Sequence, residues 1–277
     1  MKIGFIGTGS MGSILIEAFI RSGAVPPSRI TASNRTRRKA EALARKYPGL
    51  TAARTNAEAA AGQDIVFLCV KPADYRQVLA DLKSVMEPCQ IVVSITSPVL
   101  IRHLESLLPC KIAKVIPSIT NYELSGATLC MYGERMAPED REKLETLLAR
   151  ISTPVRIEES FTRVSSDLSS CGPAFLAFFV QQLIDAAVQE TGVDPDEATR
   201  LACEMVLGTG KLLTGGGFTP EELIRRVAVP GGITAAGLEL MAAEMGGMFR
   251  KLIRATHARY EEDLEKTEAA FYGIKVE

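Results

Sequence analysis

The chain has 277 residues, of which 47% are hydrophobic and 23% charged, and its formal net charge is -1. This length allows two domains, and the composition is typical of a globular protein. The near-neutral charge excludes an electrostatic argument for a nucleic acid or an anionic membrane as partner, which favours a small-molecule ligand.

The chain contains six cysteines without a C-x-x-C pair and only two histidines, so its sequence predicts neither a zinc site nor a disulfide framework. Unpaired cysteines are typical of the reducing cytoplasm. The chain begins directly with a strand pattern, from which we expect no secretory signal. The most apolar run, Ala174 to Val180, is too short to span a bilayer. We therefore expect a soluble cytoplasmic protein that binds no metal.

The first predicted element is a buried strand, Lys2 to Ile6, which is followed at once by a glycine-rich turn and an apolar-periodic helix. Gly7, Gly9 and Gly12 have the spacing G-x-G-x-x-G of a dinucleotide-binding turn. Such glycines allow a tight bend, close approach of the pyrophosphate and close packing of helix and strand, and the helix N–H groups face the phosphates. The alternative is a plain glycine turn. The predicted coenzyme contacts are Gly7, Thr8, Gly9, Ser10, Met11 and Gly12.

The end of the second predicted strand, Arg29 to Ser33, bears on which dinucleotide is bound. Enzymes that use NAD usually place Asp or Glu there, about 20 residues beyond the glycines, to bind the ribose hydroxyls. This chain has no carboxylate at that point and continues with Asn34, Arg35 and, shortly after, Arg37 and Arg38. An arginine can pair with a 2'-phosphate, which an acid would repel. We therefore predict NADPH as coenzyme, in contact with Asn34 and Arg35. For Arg37 and Arg38 the alternative is that they only begin a solvated helix.

Strand-like and helix-like segments alternate from Met1 to about Ile157, which is the pattern of a parallel sheet covered by helices on both faces. The pattern predicts an α/β protein whose N-terminal domain, residues 1–158, is a Rossmann-type doubly wound sheet. The predicted strands are Lys2 to Ile6, Arg29 to Ser33, Thr51 to Ala53, Ile65 to Val70, Gln90 to Ser94, Lys111 to Ile116, Ala127 to Met131 and Val155 to Ile157.

The segments that follow the fourth and fifth predicted strands are expected to border the coenzyme, because ligands of an open α/β sheet lie outside the carboxyl ends of its strands. These segments are Leu68 to Pro72, which contains Val70 and Lys71, and Val93 to Pro98, which contains Ser97. For Lys71 the alternative is a solvated surface lysine. Pro72 is also well placed to end a strand and start a helix.

After Glu158 the chain reads as long helices, which predicts an all-α second domain over residues 159–277. The predicted helices are Gly172 to Thr191, Asp194 to Thr214, Thr219 to Val227, Thr234 to Met245 and Gly247 to Phe271. Two of them, at Phe175 to Val188 and Leu201 to Leu213, are apolar around much of their circumference. A second copy of the chain would cover such faces, so we predict a homodimer; the alternative is two ordinary core helices.

A second glycine turn, Pro230-Gly231-Gly232-Ile-Thr234, opens one of these helices. Its backbone N–H groups can hold a substrate carboxylate, and the Thr234 hydroxyl can bond a neighbouring polar atom. The alternative is that Thr234 is only the N-cap of the helix.

Four segments resemble the pyrroline-5-carboxylate reductase family in order and spacing, along nearly the whole chain: Gly7 to Gly12, Val70 to Pro72, Ser169 to Ala174 and Pro230 to Thr234. Members of that family join a Rossmann domain to a helical dimerisation domain and reduce a cyclic imine to proline with NAD(P)H. The resemblance implies this activity here. Within the family, Val115 to Thr120 and Ser169 to Phe175 look most like a late-competence branch.

The same resemblance implies roles for individual residues. Thr234 matches the substrate-contacting threonine of the family, with Gly231 and Gly232 beside it, and Glu159, Asn56 and Ser97 match positions that border the coenzyme or substrate. The chain departs from the family at Ser118, where an asparagine is usual, and at Val229, where a serine is usual.

Reduction of a cyclic imine needs little acid-base machinery, because the imine is protonated from solvent and catalysis is mostly positioning. His103 and His257 are not needed for this reduction and are expected to face solvent.

One alternative class of enzyme, the β-hydroxyacid dehydrogenases, uses a lysine early in the first long helix of the second domain, and Gly172 to Thr191 contains none. The other alternative is a competence-associated sensor or scaffold that binds NADPH with little or no reductase activity.

Overall fold

The computed structural model describes residues 1–273, and an eight-stranded sheet forms the centre of its first part. The strands are β1 Ile3–Ile6, β2 Ile30–Ser33, β3 Thr51–Ala52, β4 Ile65–Leu68, β5 Ile91–Ser94, β6 Lys111–Ile116, β7 Ala127–Tyr132 and β8 Thr153–Arg156. They lie in the order β3-β2-β1-β4-β5-β6-β7-β8, and neighbouring strands are parallel except for the antiparallel pair β6 and β7. The predicted strands are confirmed, with small shifts at their ends.

The strand order reverses at β1, because the chain first moves outward through β2 and β3 and then returns to the other side of β1 with β4. Such a reversal leaves a crevice outside the carboxyl ends of the two central strands, where open α/β sheets bind ligands. The glycine turn follows β1 at this point. The Rossmann-type architecture predicted from the sequence is confirmed.

Both faces of the sheet are buried, which explains why the strands read as nearly continuous apolar runs. On one face, Phe5 stacks on Phe67 with ring centroids 5.0 Å apart, and Phe19 of the following helix packs against both rings. On the other face, Ile6 and Tyr75 belong to a second apolar cluster. The two clusters fix the first helix and the strand ends that surround the glycine turn.

Seven helices accompany the sheet: α1 Ser10–Arg21, α2 Arg37–Lys46, α3 Asn56–Ala60, α4 Tyr75–Leu82, α5 Ile101–Glu105, α6 Pro138–Leu148 and α7 Thr162–Leu168. Short 3-10 turns lie at Pro27–Arg29, Pro72–Asp74, Ile119–Glu123 and Glu159–Phe161. Thr55 caps α3 by accepting a hydrogen bond from the backbone N–H of Glu58.

The remaining helices are α8 Gly172–Thr191, α9 Pro195–Thr214, α10 Pro220–Val227, α11 Ile233–Glu244 and α12 Met248–Tyr272. Asp194 caps α9 by accepting hydrogen bonds from the N–H groups of Asp196 and Glu197, both at 3.0 Å. The predicted helices are confirmed to within a residue at nearly every end, because proline, acid and glycine signals mark their boundaries.

The chain separates into two compact units. The first consists of Met1–Pro173 and the chain from Ala255 onwards, and the second of Ala174–Arg254. Side-chain contacts explain why the last part of α12 belongs with the sheet: Thr256 Oγ1 donates a hydrogen bond to Asp167 at 2.7 Å, and Phe271 stacks on His103 at 4.7 Å. The predicted boundary between the two domains, after residue 158, does not coincide with the boundaries of the compact units. It remains a prediction.

Within residues 1–273, one stretch, Glu159–Thr191, is long and apolar enough to cross a membrane by length and composition, with a window of mean hydropathy 1.4. The run Ala174 to Val180 was expected to be too short to span a bilayer. That expectation is wrong, because the run is part of α8, which is 20 residues long. Only 6% of that window is buried in the chain. One such helix is weak support for a membrane span, because an apolar helix that packs against another chain passes the same test.

Candidate functional site

The glycine turn joins β1 to α1, and two of its three glycines are required by the fold. Gly7 has φ +100°, and a side chain there would collide with the carbonyl oxygen of Cys69. A side chain at Gly12 would collide with the carbonyl oxygen of Gly7. These two glycines therefore allow α1 to pack closely against the ends of β1 and β4, as the motif predicts.

Gly9 is different, because apart from its two chain neighbours no atom of residues 1–273 lies within 4 Å of the position that its side chain would take. Its backbone has φ -76° and ψ -163°, a conformation open to any residue, so the fold itself does not require glycine here. Ser10 and Met11 form the first turn of α1, which contains no acid. The open glycine at a helix N-terminus leaves room for a bound diphosphate.

Two buried hydroxyls near the carboxyl ends of the strands also fit a bound coenzyme. Among residues 1–273, neither Thr8 Oγ1 nor Ser97 Oγ has a hydrogen-bond partner. Thr8 lies in the glycine turn, and Ser97 follows β5. Buried hydroxyls are rarely left without a partner, so a polar ligand along this edge would satisfy them. The residues present therefore fit the dinucleotide that the glycine motif predicts.

The end of β2 is tied to the glycine turn, because Asn34 Oδ1 accepts a hydrogen bond from the Thr8 N–H at 3.0 Å. Arg35 follows, with 88% of its side chain exposed and Nη1 at 3.3 Å from Asp74 Oδ1. Arg37 begins α2 and pairs with Glu41 one turn later at 2.8 Å. Arg37 thus lies on a solvated helix face, as the alternative to a coenzyme contact proposed.

Asn56 lies at the start of α3, and both ends of its amide have partners. Its Oδ1 accepts a hydrogen bond from Ser33 Oγ at 2.8 Å, and its Nδ2 donates to Asp81 Oδ2 at 2.9 Å. Ser33 is the last residue of β2. The predicted position of Asn56 at the coenzyme edge therefore agrees with its neighbours, although its amide already bonds within the fold.

Val70, Lys71 and Pro72 follow β4 at the carboxyl edge of the sheet. The Val70 carbonyl oxygen accepts a hydrogen bond from Thr96 Oγ1 at 2.9 Å, which joins the segments after β4 and β5. Lys71 is exposed, and Pro72 begins the 3-10 turn before α4. The structure thus brings these residues and Ser97 to the same edge as the glycine turn.

In the second compact unit, the turn Gly231-Gly232 opens α11. Gly231 has φ +71°, and a side chain at Gly232 would approach Val229 Cγ2 within 2.8 Å. Gly232 is the N-cap, so Thr234 is not the cap that the alternative proposed. No acid lies in the first turn of α11, and the exposed Thr234 hydroxyl has no hydrogen bond within residues 1–273. The helix N-terminus and the hydroxyl therefore remain available to an anion.

A buried ion pair that was not predicted from the sequence includes the predicted site residue Glu159. Lys114 lies on β6 with 1% of its side chain exposed, and its Nζ is 3.0 Å from Glu159 Oε1. Burial lowers the pKa of the Lys114 ammonium, and the Glu159 carboxylate opposes that shift. A lysine inside the apolar run Ile112 to Ile116 was the signal that could have revealed it.

Glu159 Oε1 also accepts a hydrogen bond from the Ile101 N–H at 3.0 Å. One carboxylate oxygen thus joins β6, the 3-10 turn at Glu159–Phe161 and the first turn of α5. Glu159 was predicted to border the substrate, and that role remains a prediction. The contacts observed assign it a structural task in the first compact unit.

Ser118, which stands where the family usually has asparagine, is buried at the start of the 3-10 turn Ile119–Glu123. Its hydroxyl lies 3.3 Å from the Ser169 carbonyl oxygen, to which it donates, and 3.4 Å from the Thr120 N–H, from which it accepts. Asn121 Oδ1 accepts a hydrogen bond from the Ser118 N–H at 2.8 Å. The polar groups of Ser118 are therefore used within the fold.

The expectation that His103 faces solvent is wrong, because its side chain is fully buried. Its Nδ1 accepts a hydrogen bond from the Leu100 N–H at 3.2 Å, and its ring stacks on Phe271. Burial lowers its pKa, which favours the neutral ring. His257, on α12, is half-buried.

Over residues 1–273 no three His, Cys, Asp or Glu side chains are grouped so as to hold a metal ion.

Two family models match the chain. The model for pyrroline-5-carboxylate reductase dimerisation matches residues 159–263, and the model described as NADP oxidoreductase coenzyme F420-dependent matches residues 2–98. The first covers most of the helical part of the chain, and the second covers the glycine turn and the ends of β2, β4 and β5. The family match therefore identifies the helical part as a dimerisation domain.

Curated relatives match nearly the whole chain. ComE operon protein 4 of Bacillus subtilis (strain 168) is 41% identical over 272 residues, which are 98% of this chain and 100% of that protein. Pyrroline-5-carboxylate reductase 3 of Danio rerio is 34% identical over 263 residues, which are 94% of this chain and 90% of that protein. The resemblance predicted from the sequence motifs is confirmed.

Solved structures share the fold. A pyrroline-5-carboxylate reductase from Coxiella burnetii aligns with TM-score 0.84 and 24% identity over 96% of this chain and 98% of that one. A Plasmodium falciparum pyrroline carboxylate reductase with NADP bound aligns with TM-score 0.81 and 23% identity over 98% of each chain. With the glycine turn, the dimerisation model and the curated relatives in agreement, the chain belongs to the pyrroline-5-carboxylate reductase family.

Proposed function

We propose that this protein is a cytoplasmic, NADPH-dependent reductase that converts a cyclic imino acid, pyrroline-5-carboxylate, to proline. The observation that carries the proposal is the N-terminus of α11, where the N–H groups of the first helical turn and the Thr234 hydroxyl are available to a carboxylate. The Gly232 N–H itself donates to the Val229 carbonyl oxygen at 3.0 Å, which closes the turn before the helix. The 34% identity to a pyrroline-5-carboxylate reductase supports the same substrate class.

NADPH is proposed as the coenzyme because the end of β2 carries Arg35 and no acid at the ribose position. The match to an NADP oxidoreductase model supports this choice. When bound, the coenzyme supplies the hydride for the imine carbon. The residues proposed to hold it are Gly7, Thr8, Gly9, Ser10, Met11, Gly12, Asn34, Arg35, Asn56, Val70, Lys71, Pro72 and Ser97.

The chain's own contribution to the chemistry is positioning. The turn at Gly231-Gly232 would bind the substrate carboxylate, and Thr234 would orient it through its hydroxyl. A cyclic imine is basic enough to take its proton from solvent, so no side chain is assigned as a general acid. His103 is fully buried, and burial lowers its pKa, which favours the neutral ring; it is therefore not assigned as a proton donor.

Thr234→Val is expected to lower kcat/KM for pyrroline-5-carboxylate about two- to twelvefold, because one neutral hydrogen bond contributes about 0.5–1.5 kcal/mol. NADPH oxidation followed by absorbance measures this effect, and the affinity for NADPH should stay nearly unchanged. Thr199→Val is a matched control, because the Thr199 hydroxyl already bonds the Pro195 carbonyl oxygen within α9. If wild-type protein binds NADPH but oxidises it with no cyclic imine, the reductase proposal fails.

A homodimer is proposed because the second compact unit exposes many large apolar side chains. Phe178 is 69% exposed and Leu176 50% on α8, and Leu201 is 59% exposed on α9. Apolar surface of this extent is typical of a face that another chain covers. The match to a dimerisation model supports the same conclusion.

Light scattering at micromolar concentration is expected to give a mass of at least twice the 29.9 kDa chain. Phe178→Glu is expected to shift the protein towards the single-chain mass, because it places a charge in the proposed interface. Ala42→Glu, at an exposed position of α2, adds the same charge outside the proposed interface and controls for a change of charge alone. A single-chain mass for the wild type would exclude the dimer.

A second candidate function is a competence-associated sensor or scaffold that binds NADPH without reducing an imine. Two observations favour it: the Ser118 hydroxyl is bonded within the fold, and Val229, 61% exposed, presents an apolar side chain beside the α11 turn. The 41% identity to ComE operon protein 4 also favours it. NADPH binding without oxidation in the imine assay described above would select this candidate.

A further inference from the structure

We infer that Asp74 reduces the preference for NADP over NAD, by holding Arg35 in an ion pair that a 2'-phosphate must displace. The inference rests on the proposed NADPH binding. Asp74 lies outside the glycine motif and outside the segment after β2. Its carboxylate is expected to make the selectivity for NADP over NAD smaller than Arg35 alone would give.

The geometry places Asp74 opposite Arg35. Arg35 Nη1 lies 3.3 Å from Asp74 Oδ1, and the pair joins the segments that follow β2 and β4. β2 and β4 flank β1, and the glycine turn follows β1. The pair therefore links the segments on either side of that turn. The dinucleotide crevice of such a sheet opens at these strand ends. Asp74 therefore places an acid opposite Arg35 from a different segment.

Hydrogen bonds anchor the segments that carry both partners. Asn34, directly before Arg35, accepts a hydrogen bond from the Thr8 N–H at 3.0 Å, which ties Arg35 to the glycine turn. The Asp74 N–H donates to the Lys71 carbonyl oxygen at 3.0 Å, within the 3-10 turn that follows β4. The carboxylate is thus held near the arginine by the fold rather than by a mobile loop.

The arginine side chain itself is free to change partner. It is 88% exposed, and the Asp74 side chain is 39% exposed, so their ion pair is weak and exchangeable. Arg37, by contrast, has its own partner in Glu41 on α2. Arg35, in contrast, pairs with an acid of the segment that is expected to border the coenzyme.

The carboxylate acts differently on the two coenzymes. A 2'-phosphate must take Arg35 from Asp74 and then carries like charge beside that carboxylate, and both effects weaken NADP binding. NAD has a hydroxyl at this position, which needs no arginine and meets no repulsion. We therefore expect a preference for NADP over NAD that is smaller in the wild type than without the acid.

The test is isothermal titration of wild-type protein and variants with NADP⁺ and NAD⁺. Asp74→Asn is expected to tighten NADP⁺ binding about three- to tenfold, equivalent to about 0.7–1.4 kcal/mol, while NAD⁺ binding changes less than about twofold. Arg35→Met should weaken NADP⁺ more than NAD⁺. In the Arg35→Met background the effect of Asp74→Asn should shrink, because the two side chains act as a pair. At high salt all of these differences should shrink.

Glu41→Gln is the matched control, because it removes an acid from an arginine pair on the solvated face of α2 and should leave both affinities unchanged. If wild-type protein binds NADP⁺ and Asp74→Asn leaves the ratio of the two affinities within about twofold of wild type, this inference is overturned and the proposed function stands. If wild-type protein binds neither coenzyme, the proposed function is overturned and this inference with it.

Discussion

Lys114→Met is expected to lower the free energy of unfolding by about 2–4 kcal/mol, because it leaves the Glu159 carboxylate without its buried cation. The Lys114 side chain is 1% exposed, and methionine keeps most of its volume, so the loss reports charge rather than a cavity. The value lies somewhat below the usual 3–5 kcal/mol for a broken buried pair, because Glu159 is 28% exposed. The change should be visible as a lower urea midpoint.

Lys111→Met provides the control on the same strand. Lys111 pairs with Asp140 at 2.7 Å, and its own side chain is 26% exposed. Asp140 lies in the first turn of α6, where the Ala137 N–H donates to its Oδ2 at 3.1 Å, so the remaining acid keeps a favourable partner and a loss of about 1 kcal/mol is expected. Unfolding should be followed by circular dichroism at one protein concentration, because the chain has no tryptophan and a dimer's stability depends on concentration. A Lys114→Met loss no larger than that of Lys111→Met would show that the buried pair contributes little.

The double variant Lys114→Met/Glu159→Gln separates charge from geometry. Glutamine keeps an oxygen that can accept the Ile101 N–H bond but carries no charge. If an uncompensated charge causes the loss, the double variant should recover most of it. If the loss persists, the position of the Glu159 side chain, rather than its charge, depends on Lys114.

Most of the fold could be predicted from the sequence, because its signals are local. Apolar runs that end in glycine, proline or serine gave the strands, and caps such as Asp194 gave the helix starts. The length of the apolar segment around α8 was underestimated, because the prediction considered only the run from Ala174 to Val180. A count over the whole helix would have corrected it.

The side-chain partners at the site could not be predicted, because they join segments that lie far apart in the chain. Lys114 and Glu159 are 45 residues apart, and Arg35 and Asp74 are 39 apart. His103 is buried because Phe271, near the C-terminal end of the described chain, stacks on it. No local pattern encodes such pairs, although a charged residue inside an apolar strand is a signal that a partner exists.

Gly9→Ala is expected to weaken NADPH binding about ten- to hundredfold while leaving the free energy of unfolding within about 0.5 kcal/mol of wild type. Within the described chain, no atom beyond the two neighbouring residues lies within 4 Å of the added methyl group, and the Gly9 backbone suits any residue, so the fold tolerates alanine. A diphosphate that approaches the backbone of this glycine would meet the methyl group directly. Titration with NADPH and urea unfolding measure the two quantities.

Gly12→Ala is the counterpart that should fail in both measurements. Its methyl group would collide with the carbonyl oxygen of Gly7, which forces α1 away from the strand ends, so both stability and NADPH affinity should fall. The contrast between the two glycines distinguishes a residue that the fold requires from one that only a ligand requires. Unchanged NADPH affinity in Gly9→Ala would mean that the coenzyme does not approach this backbone, and the coenzyme site proposed at the glycine turn would then be wrong.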